Sequence, residues 1–270
     1  MKYTFIRESE NMKLFVENLA EALIEAERSR KSILPLTKSY PALSTDDAYR
    51  IQLEVIQKKL NTGRKIIGKK VGLTSKAMQS MLGVTEPDYG HLLDDMTVPD
   101  GEIVETGEMI SPKIEAEIGF ILGEDIKGPN ITFLDVLMAT EYVTPALEII
   151  DSRIENWDIQ LADTVADNGS SAKVVIGGSR IKVEEVDLRT VGMTLYKNRR
   201  LQATGAGAAA LGHPAHAIAW LANKLSEFDI PLKAGELILP GALSKAIEVQ
   251  SGDSISALFG VLGSVTVTFK

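Results

Sequence analysis

The sequence predicts an α+β protein, with a helical N-terminal region followed by a β-rich domain. Three observations predict it. Apolar residues recur at helical spacing over residues 13–30 and again over 45–61. From about residue 65, short segments rich in β-branched residues take over, separated by glycine, proline and polar stretches. Two helical patterns, at roughly 133–141 and 214–226, interrupt that second region. With 270 residues and 44% hydrophobic content, the chain can bury a large core.

The first helical pattern places Leu14, Phe15, Leu19, Leu23 and Ile24 on one face. Met12 precedes it, so residues 1–12 read as an extension outside the fold. The linker ILPLTKSYPALS carries two prolines and is expected to be extended. The second pattern uses Ala48, Ile51, Val55, Ile56 and Leu60. Ser44 stands three residues before Asp47, a capping box with Asp in place of Glu. These segments make a helical region of residues 13–64 and leave residues 65–270 to the β-rich domain. There, KIIGKKVGL, EAEIGFIL, KVVIGG, VGMTLYKN, GELILPG and GSVTVTFK read as strands. His213-Pro214 sets proline near a helix start. ATGAGAAALG (203–212) lacks the strand–GxGxxG–helix context of a dinucleotide site and reads as a flexible or closely packed loop.

Composition excludes several function classes. The formal net charge is −8 and no Lys/Arg cluster appears, which argues against nucleic acid and anionic membrane as partners. The absence of cysteine removes disulfides, a thiolate nucleophile and cysteine-bound zinc, and agrees with a cytoplasmic location. No apolar run is long enough to span a bilayer, and MKYTFIRESENMK lacks the continuous apolar core of a signal peptide.

The informative feature is a set of acids embedded in apolar strands. In PKIEAEIGFIL (112–122), Glu115 and Glu117 share one face, because strand residues i and i+2 point the same way. Two readings fit: an edge strand with both glutamates in water, or a buried pair that needs a counter-charge. TPALEIIDSR (144–153) adds Glu148 and Asp151 on a second apolar run. Carboxylates with no cysteine or histidine nearby suit a hard divalent cation, Mg²⁺ or Mn²⁺. The alternatives are salt bridges, Glu148 with Lys113 or Asp151 with Arg153. Lys70, glycine-flanked in a strand-like run, either reaches into a cleft or is solvated. Asp88 in EPDYG either caps a turn or joins that cleft. DTVADNGSS (163–171) is a polar loop to which spacing gives no role, and composition gives no reason to make His213 or His216 catalytic.

Together, GKKVGLTSKAMQ, EPDYG, PKIEAEI, PALEIIDSRI, DTVADNGSS, TGAGAAALGHP and GSVTVTF resemble, in this order, the 2-hydroxypentadienoate (2-keto-4-pentenoate) hydratase / 4-oxalocrotonate decarboxylase family. That family lies within the fumarylacetoacetate hydrolase superfamily. The resemblance covers nearly everything from about residue 13 onward. It implies a mixed, rolled β-sheet core with the helical region beside it, and Mg²⁺ or Mn²⁺ on Glu115, Glu117 and Glu148. It matches Lys70 and Asp88 to the family's active-site lysine and acid, puts Ser170 in the loop that lines the pocket, and implies a homo-oligomer. The activity implied is metal-dependent hydration of 2-hydroxypenta-2,4-dienoate to 4-hydroxy-2-oxopentanoate, in meta-cleavage catabolism of aromatic compounds.

The sister activity, decarboxylation of 4-oxalocrotonate, stays beside it. GLTSKAMQSMLGV and EPDYG look like the hydratases, whereas VPDGEIVETGEMISPKIEAEI, SSAK and LGHPA lean towards the decarboxylases. The decarboxylase substrate has a second carboxylate far from the metal, for which Lys173 and Lys245 are candidate partners; the plainer reading makes both surface lysines. A catalytically silent subunit in complex with a sister hydratase or decarboxylase ranks lower. Carbon–carbon hydrolysis also ranks low: a His–acid pair near the N-terminus would support it, and residues 1–90 contain no histidine.

Overall fold

The computed structural model describes residues 2–76, 79, 80 and 83–270, with residues 2–11 by backbone alone. Met1, and residues 77, 78, 81 and 82 inside the GLTSKAMQSMLGV motif, lie outside the described residues.

Helix α1 (Lys2–Ser29) begins ahead of the boundary expected at residue 13. Its buried stripe is Val16, Leu19, Ala20, Leu23 and Ala26, whereas Leu14 falls on the opposite side of the helix and is exposed. The linker is not wholly extended. It contains one helical turn, α2 (Leu36–Ser39), held by Thr37, whose backbone N–H and hydroxyl donate to Asp163 at 3.0 and 2.6 Å. Helix α3 (Thr45–Asn61) starts as its cap predicts: the Ser44 hydroxyl accepts the Asp47 N–H at 3.1 Å. Ala48, Ile51, Val55 and Ile56 are buried.

Thirteen strands follow among the described residues: β1 (Ile66–Gly72), β2 (Asp88–Leu93), β3 (Thr97–Pro99), β4 (Ile103–Val104), β5 (Pro112–Leu122), β6 (Thr140–Asp151), β7 (Ser171–Ile176), β8 (Gly192–Lys197), β9 (Arg200–Ala206), β10 (Leu237–Leu239), β11 (Ile247–Glu248), β12 (Ser254–Leu258) and β13 (Ser264–Phe269). The larger sheet is mixed and curled, in the order β2-β1-β10-β5-β6-β7-β3, with β11 also on β5. Pairs β1/β10 and β3/β7 are parallel. The smaller sheet runs β4-β13-β12-β8-β9.

Helix α4 (Phe133–Ala139) opens on a Thr132/Asp135 capping box and stops at Ala139, because Thr140 already belongs to β6. DTVADNGSS is not a loop: it forms most of helix α5 (Leu161–Ala166) and a tight turn, Asn168–Ser170. Helix α6 (Pro214–Leu225) is capped by His213, whose Nδ1 accepts the Ala215 N–H at 3.1 Å. ATGAGAAALG is strand β9 up to Ala206. Its glycines allow close approach, since a Cβ at Gly207 would lie 1.7 Å from the Leu188 carbonyl oxygen.

The helical region is bound to the sheet through β2. Gln52 is buried and donates to the Tyr89 and Val165 carbonyls at 2.8 and 2.7 Å, and Tyr49 stacks on Tyr89 at 4.5 Å between ring centroids. Adjacent lysines of β1 face opposite ways. Lys69 pairs with Glu236 (2.7 and 2.8 Å), and both are buried. Removing one partner of such a buried pair costs about 3–5 kcal/mol. Lys69→Ala should therefore lower unfolding free energy by about that amount in urea titration. Lys69→Met combined with Glu236→Gln should recover most of the loss; a single-variant loss below about 1 kcal/mol would show that the pair behaves like a solvated one.

Candidate metal centre and active site

The β5/β6 register puts Glu115 directly opposite Glu148 and Glu117 opposite Ala146, two residues along the same face. One carboxylate oxygen from each of Glu115, Glu117 and Glu148 lies within 4.8 Å of the others. Glu117 and Glu148 are buried and Glu115 is partly exposed. Like charges directly opposite on a sheet repel, and burial adds desolvation.

The neighbours offset only part of this. Glu117 accepts the Gly241 N–H at 2.8 Å. Lys70, also buried, holds its Nζ 3.6 Å from Glu148. Both carboxylate oxygens of Glu148 are buried without a hydrogen-bond partner among the described residues. Burial and the Glu148 charge push the Glu115 carboxyl up to about 7, against the pull of Lys70. Burial, then Glu148 and Glu115, raise Glu117 well above the usual carboxylate range; burial also raises Glu148, opposed by Lys70. For Lys70, burial disfavours the ammonium, but Glu148, Asp88, Glu115 and Glu117 together outweigh it and hold its pKa above the usual lysine value. Three carboxylates that each offer an oxygen, one of them with neither oxygen partnered among the described residues, and one close ammonium fit a hard divalent cation.

Lys70 and Asp88 reach the same face from β1 and β2, where Lys70 pairs with Gly90 and Gly72 with Asp88. Asp88 does not cap a turn; it opens β2, is buried, and accepts the Thr164 hydroxyl on Oδ2 at 3.2 Å. Its Oδ1 has no partner among the described residues. Gly72 leaves room for both groups: a Cβ there would lie 2.1 Å from Asp88 Oδ1 and 3.2 Å from Lys70 Nζ.

The remaining candidates fall elsewhere. Ser170 is buried with its hydroxyl on Asp167 at 2.9 Å. Lys173 pairs in register with Ile149, so it faces away from Glu148, and its Nζ donates to the Asp95 carbonyl at 3.1 Å. It lines a cavity of about 380 Å³ with Leu23, Val55, Lys59, Arg153 and Asn168, which the three glutamates do not line. Lys245 is exposed, four residues after Gly241. Asp151 faces away from the cluster and accepts the Ile110 and Ser111 N–H groups at 2.8 and 2.6 Å; Lys113 lies over the Trp157 ring. Three contributors escaped the sequence reading: Gly241, Thr164, and Ser171, whose buried hydroxyl lacks a partner. Gly241 and Thr164 act through partners distant in sequence, Glu117 and Asp88, so no local pattern assigns them a role; that Thr164 and Ser171 fall in DTVADNGSS and that Pro240-Gly241 follows a strand were the hints.

Protons and a cation compete for these oxygens. A carboxyl raised in the fold binds protons more tightly there than unfolded. The contribution of such a carboxyl to metal-free stability is therefore full at acid pH and is lost as pH rises from the ordinary carboxylate range through about 7. Added Mg²⁺ should then raise the melting temperature more at about pH 8 than at about pH 5.5, and Glu148→Gln should abolish the shift. Equal shifts at both pH values in thermal melts would count against the cluster as the binding site.

Residues 72–270 match the family model described as fumarylacetoacetate (FAA) hydrolase, C-terminal. The chain is 45% identical over 254 residues to a 2-keto-4-pentenoate hydratase of Paraburkholderia xenovorans (strain LB400), covering 94% of each. It is 43% identical over 251 residues to a 4-oxalocrotonate decarboxylase of Pseudomonas putida, covering 93% of this chain and 95% of the relative. A solved structure of the 4-oxalocrotonate decarboxylase from Pseudomonas putida G7, complexed with magnesium and adipate, superposes with a TM-score of 0.93 at 41% identity, over 96% of this chain and 98% of that one. With such likeness along nearly its whole length, the chain belongs to the 2-keto-4-pentenoate hydratase / 4-oxalocrotonate decarboxylase family of the fumarylacetoacetate hydrolase superfamily.

Proposed function

We propose that this protein is a Mg²⁺- or Mn²⁺-dependent lyase that hydrates 2-hydroxypenta-2,4-dienoate to 4-hydroxy-2-oxopentanoate. The observation that carries this reading is the buried trio Glu115, Glu117 and Glu148 beside the ammonium of Lys70. The trio would hold the cation. Bound there, the cation would supply Lewis-acid stabilisation of negative charge on the C2 oxygen of a 2-oxo acid. The magnesium and adipate in the solved decarboxylase agree with a metal and a carboxylic acid ligand on this fold.

The chain's own residues handle the protons. Hydration requires a proton to leave the C2 hydroxyl, one to reach carbon as the enone forms, and water to add at C4. Asp88 Oδ1 is a buried acceptor with no partner among the described residues, placed to take a proton, while Thr164 fixes the other oxygen. Lys70, kept as an ammonium by four acids, serves as donor and orienting charge rather than as base. Ser171 adds a buried hydroxyl beside Glu148, whereas the Ser170 hydroxyl is held by Asp167.

Decarboxylation of 4-oxalocrotonate keeps one specific support, the exposed Lys245 on the segment that also carries Gly241. Lys173 does not add to it, since it faces away from Glu148. Among the described residues no helix is long and apolar enough to cross a membrane. Cytoplasmic work on a small dienoic acid in aromatic catabolism, by a homo-oligomer or a complex with a sister enzyme, completes the reading.

A paired assay decides it. With Mg²⁺, the purified protein should convert 2-hydroxypentadienoate and release little carbon dioxide from 4-oxalocrotonate, and a chelator should stop turnover. The reverse preference would establish the decarboxylase. Lys70→Met should reduce kcat by about 10²–10⁴-fold in the same assay.

A further inference from the structure

The turn Asn168-Gly169-Ser170 is strained. All three residues are left-handed, at φ 57°, 60° and 54°, and two of them are not glycine. Such backbone persists only where its surroundings over-determine it. Here they do, from two sides. The Asn168 side chain pairs with both backbone groups of His91 in β2, accepting at 2.7 Å and donating at 2.9 Å. Ser170 donates to Asp167 Oδ2, and Asp167 is held in turn by Arg153.

The Arg153 side chain makes four hydrogen bonds. Its Nε donates to Asp167 Oδ1 and its Nη2 to the Asp167 carbonyl, each at 2.5 Å, while Nη1 reaches the carbonyls of Asp151 and Ser171 at 2.8 and 3.3 Å. Its own backbone N–H donates to Asp167 Oδ2 at 3.1 Å. Both side chains are buried. One guanidinium therefore ties the end of β6 to both flanks of the turn. Without that tie the turn has somewhere to go, because residues on either side of Gly169 and Ser170 line the 380 Å³ cavity.

The middle of the turn rests on Lys70. A Cβ at Gly169 would lie 3.0 Å from Lys70 Nζ and 3.1 Å from its Cδ. We infer that Arg153, through Asp167, is a positioning residue that presses the 168–170 turn onto Lys70 and keeps its ammonium against Glu148. This builds on the role proposed for Lys70, but the placement itself can be measured without turnover.

The test is amine labelling of the whole protein, read by mass spectrometry at Lys70 and Lys69. Lys69 is the internal control, since it is equally buried on the other face of the same strand. Arg153→Lys keeps the charge and loses the fork. It should label at Lys70 at least about tenfold faster than the parent, leave Lys69 protected, and reduce kcat by a comparable factor. If Arg153→Lys does not fold, Asp167→Asn decides, because it removes the carboxylate that Arg153 holds while keeping the side chain's size, and should give the same selective labelling. Unchanged Lys70 labelling, or equal acceleration at Lys69 and Lys70, overturns the inference, the second outcome meaning general loosening. If the parent protein turns over neither dienoate nor 4-oxalocrotonate, the proposed activity fails, while the labelling comparison still judges Arg153.

Discussion

Three carboxylates share one face of the antiparallel pair β5/β6, and the surrounding structure answers to that fact. Glu115 and Glu148 are cross-strand partners and Glu117 is next on the same side. In water such a row would be tolerable. Here Glu117 and Glu148 are buried, and repulsion and desolvation both favour the neutral acids. Among the described residues, one backbone N–H, from Gly241, and one close ammonium, from Lys70, face the trio, and Glu148 is left unsatisfied. The shortfall is in positive charge and electron-pair acceptors, which is what a hard cation provides.

Glycine placement follows from crowding at this centre. Gly241 has φ +115° and passes so close to Thr74 that a Cβ would sit 2.0 Å from its hydroxyl oxygen, which lets the peptide N–H point at Glu117. Gly72 and Gly169 leave the space in which Lys70 and Asp88 coexist. These positions are glycine because the backbone approaches other groups there, and only at Gly169 and Gly241 because φ is positive as well.

Register does the rest. Along β1, Lys69 and Lys70 differ by one position and serve unrelated ends: the first neutralises Glu236 on the reverse face and the second meets the acidic cluster. A one-residue slip would put one lysine in the other's place and Gly68 or Val71 in the place left, so one set of buried acids would lose its base. The pairing of β1 with β2 in one direction and with β10 in the other fixes the register. The N-terminal helices contribute at a distance. Through Gln52 and Tyr49 they hold β2, and through Thr37 they hold α5, from which Thr164 reaches Asp88 and beyond which the turn over Lys70 begins.

The sequence by itself determined what periodicity and residue chemistry can carry. It placed α3 with its Ser44 cap, the alternating face of β5 with Glu115 and Glu117 together, the acid-bearing strand around Glu148, and the ordered motifs that carried the family resemblance and pointed to Lys70 and Asp88. These features depend on neighbours a few residues away. Tertiary structure decided the rest. It put Glu148 opposite Glu115 while Asp151 turned away, set Lys173 on the reverse face, made α2 and α5 from segments with no local helical signal, and brought Gly241 and Thr164 to the centre. Each of these depends on strand pairing or a contact between distant segments. Such partners are chosen when the whole sheet closes, and no window of sequence contains them.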